Sequence, residues 1–208
     1  MHGRITRIAA KPDGLEAAIA TFEQNIASQY RQRPGFAGIA LAVDREKGTG
    51  VGVTFWESEE ALKATDQLAA DLRSRSSAEQ GVEFPEVEEY ELALFERLQP
   101  AKAGTCIRTS TAQTSPERLD DVVGIFKEQL PTISSQKGLR SLSIGVNRQN
   151  GKFFVTTVWD TPADREATEE LVLSVMRPKV AEVAQISPPP LENYDVVYAD
   201  IPMRASVS

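Results

Sequence analysis

One cysteine, one histidine and two tryptophans among 208 residues leave this chain without much of the usual equipment of catalysis. Cys106 has no partner for an internal disulfide, which suits a reducing compartment. A Ser-His-Asp set would need His2 as its base, and one His with one Cys cannot supply a zinc or haem site of the usual kinds. There is no glycine-rich phosphate loop. Neither a metal nor a cofactor is therefore expected. Lys and Arg number 23 against 30 Asp and Glu, a net charge of −7, which disfavours nucleic acid and anionic membrane surfaces because both demand clustered positive charge. No apolar run approaches the roughly 20 residues that span a bilayer. Met1 to Thr6 passes straight into a strand pattern, so no secretory leader is expected and the expected location is cytoplasmic. The acidic stretch from Glu83 to Glu91 reads as a solvated face entering an edge strand.

What the chain does have is a repeat. Gly35-Phe36 and Gly138-Leu139 each open an apolar run, and Val43-Asp44-Arg45 returns as Val146-Asn147-Arg148. Thr54-Phe55-Trp56-Glu57-Ser58 returns as Thr157-Val158-Trp159-Asp160-Thr161, and Ala64-Thr65 as Ala167-Thr168. All of these keep one spacing without a gap. Before them Leu15, Ile19, Phe22 and Ile26 match Leu119, Val123, Phe126 and Leu130, and after them Tyr90 matches Tyr194, each one residue further apart. The slips fall between elements, where loops accept insertions. The chain is a duplicated domain.

Repeat one reads as a strand from about Gly3 to Ala9, then a helix from Gly14 to about Arg31 with Asp13 as the expected cap. Leu15, Ala18, Ile19, Phe22, Ile26 and Tyr30 keep helical spacing on one stripe. Arg33-Pro34-Gly35 stops that helix. Strands from Phe36 to Val43 and Gly50 to Trp56 follow, each with one apolar face. Ser58 caps a second helix from Glu59 to about Arg73. A polar stretch, Ser74 to Gln80, leads towards a last strand from Val87 to Arg97. Repeat two follows the same plan. Ser115-Pro116 opens its first helix, Pro131 is expected to end or kink that helix, and Asn150-Gly151 marks a tight hairpin.

Each repeat is thus β-α-β-β-α-β, the ferredoxin-like order. Helices cover one face of such a sheet, and the second copy supplies cover for the other. The expected fold is α+β, two ferredoxin-like repeats packed sheet to sheet as an intramolecular dimeric α+β barrel. The repeats occupy 1–98 and 105–202, with a linker at 99–104 and a loose tail at 203–208. This internal pseudo-dimer leaves further oligomerisation open.

A strand ending in Trp followed by Glu/Asp-Ser/Thr at a helix start, at Thr54 to Ala61 and again at Thr157 to Ala163, resembles the antibiotic biosynthesis monooxygenase-like group of the dimeric α+β barrel superfamily. The Pro34-Gly35-Phe36 turn belongs to the same pattern. The resemblance covers nearly the whole chain as two copies and implies the barrel fold. It also implies a choice among cofactor-free oxygenases of aromatic phenols, haem-degrading enzymes, isomerases and proteins without known activity. The haem-degrading members use an axial histidine after the Trp-bearing helix, and this chain has only His2. The quinone-forming oxygenases place Asn four residues before the Trp and Tyr six after it. Gly52 and Val155, then Leu62 and Arg165, stand there instead.

Trp56 and Trp159 are the leading candidates for ligand binding, since an indole stacks on planar molecules and donates one hydrogen bond. The alternative is that each packs where strand meets helix. Trp56 shares its strand face with Gly52 and Thr54, which leave space, whereas Trp159 shares its face with Phe153 and Val155, which fill it. A pocket is therefore expected first beside Trp56. Arg108, in the first strand of repeat two, would bind a carboxylate or enolate if it faced inward, and would be an ordinary surface residue if it faced outward. Arg140 invites the same two readings. Tyr30 and Tyr90 read as packing residues, and Cys106 has no histidine to activate it. No catalytic residue can be assigned. Three functions remain open: a cofactor-independent oxygenase acting on a small aromatic or polyketide-like substrate, a non-catalytic protein binding a small aromatic or apolar ligand, and a scaffold.

Overall fold

In the computed structural model, which describes residues 1–100 and 102–202, the first repeat contributes β1 (His2–Ala9), β2 (Phe36–Asp44), β3 (Thr49–Trp56) and β4 (Val87–Arg97). The second contributes β5 (Cys106–Gln113), β6 (Leu139–Val146), β7 (Lys152–Trp159) and β8 (Glu192–Asp200). They hydrogen-bond in the order β1-β3-β2-β8-β5-β7-β6-β4 and close into an eight-stranded barrel. Residue 101 of the expected linker and the expected loose tail, 203–208, lie outside the described residues.

The chain divides into two compact units. One holds residues 1–90, 102–104 and 194–202; the other holds 91–100 and 105–193. In the first, β2 pairs antiparallel with β8, with Leu41 opposite Tyr198. In the second, β6 pairs with β4, with Ser143 opposite Phe95. Against the expected repeats at 1–98 and 105–202, each packing unit takes a strand from the other repeat to complete its sheet.

Strand alternation explains the core of the first unit. Ile39, Leu41 and Val43 point to the helix side, each at most 2% exposed, and share that side with Trp56. Against them pack α1 (Pro12–Thr21), a π-helical turn at Phe22–Ile26 and α2 (Ala27–Arg31). In the second unit α5 (Leu119–Ser134) buries Leu119, Val122, Val123 and Phe126 against Leu142, Ile144 and Val146. A fully buried aliphatic or aromatic side chain stabilises by about 1.5–3 kcal/mol.

Several local expectations are corrected. Lys11, without a side-chain cap, precedes the first helix, which opens on Pro12 and carries Asp13 in its first turn. Proline's missing N–H costs nothing there, so the start moves upstream. The second helix of repeat one is two helices, α3 (Glu59–Lys63) and α4 (Asp66–Gln80), broken at Ala64-Thr65. Ser58 caps α3 by accepting from the Ala61 N–H, as expected. The stretch Ser74 to Gln80 is helical because Ser76 is buried against the rest and Gly81, at φ +65°, supplies the left-handed stop. Pro131 lies inside α5, which continues to Ser134. The loss of one backbone donor is tolerated there, one turn from the end.

Candidate functional site

Each unit holds a cavity between the helix face of its sheet and its own helices. The first, about 70 Å³, is lined by Arg4 and Thr6 of β1, Phe22, Gly52 and Thr54 of β3, and Leu72 of α4, among others. The second, about 90 Å³, is lined by Arg108 of β5, Phe153 and Trp159 of β7, Phe126, Thr168 and Met176 among others. Both are several times the ~10–15 Å³ that admits one water. A π-helical turn borders each: Phe22–Ile26 in the first unit and Leu171–Met176 in the second. Such turns widen a helix locally and are frequent at functional sites.

The duplication is most literal around the buried arginines. Arg4 Nη1 donates to Thr65 Oγ1 at 3.1 Å and Nη2 to the Leu62 carbonyl at 3.4 Å. Arg108 Nη1 donates to Thr168 Oγ1 at 3.1 Å and Nη2 to the Arg165 carbonyl at 2.9 Å. Thr65 and Thr168 each sit just after a short helix, α3 or α6 (Pro162–Glu166), and donate 2.7 Å bonds to those same carbonyls. The helix break thus exists in both repeats and turns a carbonyl and a hydroxyl towards a strand arginine.

Their electrostatics differ. Arg4 is ion-paired with Asp66 and with Glu89, the latter at 2.8 Å. Burial alone would raise the Glu89 pKa, but hydrogen bonds from Lys63 and Arg4 outweigh it and hold the carboxyl below its ordinary range. Arg108, 7% exposed, has no carboxylate within ion-pair distance among the described residues, and its Nε is buried without a hydrogen-bond partner. Burial lowers its pKa first, and the nearby positive charge of Arg165 lowers it further. Asp66 and Glu89 correspond through the repeat to Glu169 and Asn193. Glu169 acts on Arg108 only at longer range, and Asn193 carries no charge.

Both tryptophans are buried, with the indole N–H donating to the threonine two residues earlier: Trp56 to Thr54 at 3.0 Å and Trp159 to Thr157 at 2.8 Å. Trp159 lines its cavity; Trp56 is absent from the lining of the first. Strand parity favours a pocket in the first repeat; Gly52 and Thr54 do face a cavity there, and Tyr30, packed edge-on to Trp56 at 6.0 Å, lines it. The counterpart of Tyr30 through the repeat is Ser134, too short to cover Trp159. Burial raises the Tyr30 pKa despite the opposing charges of Arg4 and Arg73, so its hydroxyl stays protonated at neutral pH.

The remaining candidates lie elsewhere. Arg140 is ion-paired with Asp160 and donates to the Pro100 carbonyl, tying down the start of β6. The Tyr90 hydroxyl donates to Glu88 at 2.6 Å. Cys106 is buried, its thiol 3.9 Å from the Trp159 carbonyl. Sequence reasoning singled out Arg108 but passed over Arg4, Thr65 and Thr168 as a set. The signal was available, because the repeat spacing that aligns Tyr90 with Tyr194 also aligns Arg4 with Arg108. No group of three or more His, Cys, Asp or Glu placed to hold a metal occurs among the described residues, and no helix among them is long and apolar enough to cross a membrane.

Residues 1–70 match the antibiotic biosynthesis monooxygenase family. The chain is 27% identical over 162 residues to the uncharacterized protein Rv2557 of Mycobacterium tuberculosis, spanning 77% of this chain and 72% of that one. A protein of Fusobacterium nucleatum provisionally named a monooxygenase has the same fold, with a TM-score of 0.73 at 13% identity over 99% of this chain and 96% of that one. An anthrone oxidase-like protein superposes with a TM-score of 0.68 at 12% identity, over 96% and 93% of the two chains. At such identities the likeness to solved structures is one of fold.

Proposed function

From a chain whose residues 1–70 belong to the antibiotic biosynthesis monooxygenase family, and whose second repeat is built on the same plan, we propose an enzyme that oxidises a small ionisable aromatic molecule with dioxygen and no cofactor. The observation that carries this reading is the second cavity: an apolar space walled by Phe153 and Trp159, with the buried guanidinium of Arg108 on its lining. An anthrone-like substrate, once it has lost a proton, can itself reduce oxygen. Its CH₂ gives up both hydrogens and gains one oxygen as C=O, the other oxygen leaves as water, and the four electrons all come from the substrate. The protein's part is to hold the ring against the aromatic wall and stabilise the developing oxyanion. The family resemblance and the anthrone oxidase-like neighbour support this choice of substrate.

The second reading is binding without turnover. It is favoured by the threonine partners that already occupy both indole N–H groups, leaving no tryptophan donor for a ligand. Oxygen-electrode assays with anthrone and a panel of phenols, without added metal, flavin or haem, decide between the two. Oxygen uptake with quinone formation supports the oxygenase. Tryptophan quenching without uptake assigns the protein to the binding class.

A further inference from the structure

We propose that the two cavities differ in the charge they accept, and that only the second takes an aromatic oxyanion, a carboxylate or phenolate, bound at Arg108. The inference rests on the reading of these cavities as ligand sites and specifies what one of them selects.

Arg4 and Arg108 occupy the same place in their repeats and spend the same two N–H groups on the same two partners, a threonine hydroxyl and a carbonyl. What differs is the neutralising charge. Around Arg4, Asp66 and Glu89 supply carboxylates directly, and Glu89 also accepts from Arg4 Nε at 3.1 Å. The first cavity therefore meets a guanidinium whose charge and donors are already committed. Around Arg108 neither carboxylate is present at contact distance, and Nε points at no acceptor. A buried cation without a counter-ion is unfavourable in a site this apolar, and its environment is stabilised by any anion that enters.

Further positive charge stands nearby. Arg177 lines the same cavity, with Nη2 donating to the Pro189 carbonyl at 2.6 Å and Nε buried without an acceptor. Arg73 is its counterpart on the first cavity and is likewise partly exposed, so that pair does not separate the two sites. The distinction lies in the acid pair that repeat one has and repeat two lacks. A guanidinium presents N–H groups in a fork that suits a planar oxyanion. The Phe153 and Trp159 walls suit the ring that carries it.

The test uses the full chain and two pairs of probes. Benzoate and its neutral counterpart benzamide are titrated calorimetrically. 4-Nitrophenol is titrated across its ionisation, where the phenolate absorbance reports the bound form. The expected result is one benzoate or one nitrophenolate per chain, bound about tenfold or more above the neutral form, the scale of a hydrogen bond to a charged group. Whichever anion binds identifies the source of the oxyanion. Arg108→Gln should abolish the preference. Asn193→Glu, an exposed position, restores the acid that repeat one places beside its arginine and should reduce the preference at least severalfold with benzamide binding unchanged.

Two anions per chain, equal binding of charged and neutral probes, no binding of any probe, or an undiminished preference in Asn193→Glu would each overturn the proposal. Its failure is distinct from that of the oxygenase reading. Anion preference without oxygen uptake ends the latter alone, whereas oxygen uptake with no anion preference ends the former alone.

Discussion

Arg108 donates to Thr168 Oγ1 at 3.1 Å, and this bond orients a buried guanidinium that has no carboxylate partner among the described residues. Among the described residues, the guanidinium also donates to the Arg165 carbonyl. Thr168→Val should cost about 1–3 kcal/mol, as expected when a buried charged donor loses its acceptor, lowering Tm by several degrees. Thr65→Val should cost less, because Asp66 and Glu89 still hold Arg4. Thermal melts of the two variants side by side measure the difference, and equal losses would contradict it.

The two tryptophans should separate by spectroscopy. Trp56→Phe leaves Trp159 as the only indole, beside the second cavity, so ligand should quench its emission strongly. Trp159→Phe leaves Trp56, screened by Tyr30 and Phe36, and ligand should quench it little. Trp56→Phe should instead be felt in stability, by about 1–3 kcal/mol, the scale of shrinking a buried aromatic. Turnover or binding weakened more by Trp56→Phe than by Trp159→Phe would reverse this assignment.

Glu89 links the first site to pH. Its folded-state pKa lies below the ordinary value of 4.5, so its ionised form stabilises the fold above that pH. The contribution is lost as pH falls through the depressed folded value. Glu89→Gln should therefore lower Tm at neutral pH and flatten the decline of Tm between pH 5 and 3, windows of about this width being typical of paired carboxylates. Parallel acid limbs for the variant and the parent would exclude a role for Glu89 in acid stability.

A chain ending at residue 100 should not remain a well-behaved monomer. It lacks β8, whose residues Asp195 to Asp200 pair with β2 from Val43 back to Ile39. The freed edge presents unpaired backbone donors and acceptors beside apolar side chains, a template for self-association. Light scattering should give the mass of a dimer or of larger aggregates. A stable monomer of half length would show that this edge needs no partner.

The duplication, the order of elements and most strand limits were legible from residues alone, because they depend on local regularities. Alternation places Ile39, Leu41 and Val43 on one face, and a Gly between turn residues stops a helix at Gly35, where a Cβ would come within 2.6 Å of the Ala61 Cβ. The same rule holds at Gly138, whose added Cβ would come within 2.6 Å of the Asp164 side chain. Helix limits were less legible. Pro131 and the polar run to Gln80 are unfavourable by local propensity but are held by packing of the remaining helix.

The sequence by itself determined that the chain is two β-α-β-β-α-β units, and it placed a tryptophan at the end of the third strand of each. Periodicity and repeat spacing are properties of neighbouring residues, so they can be read without coordinates. Only the tertiary structure decided that Tyr30 screens Trp56 while Trp159 borders a cavity, and that Arg4 meets two carboxylates while Arg108 meets none among the described residues. Those outcomes depend on residues 26 to 85 positions apart converging in space. The free energy of a buried charge is set by what surrounds it in three dimensions.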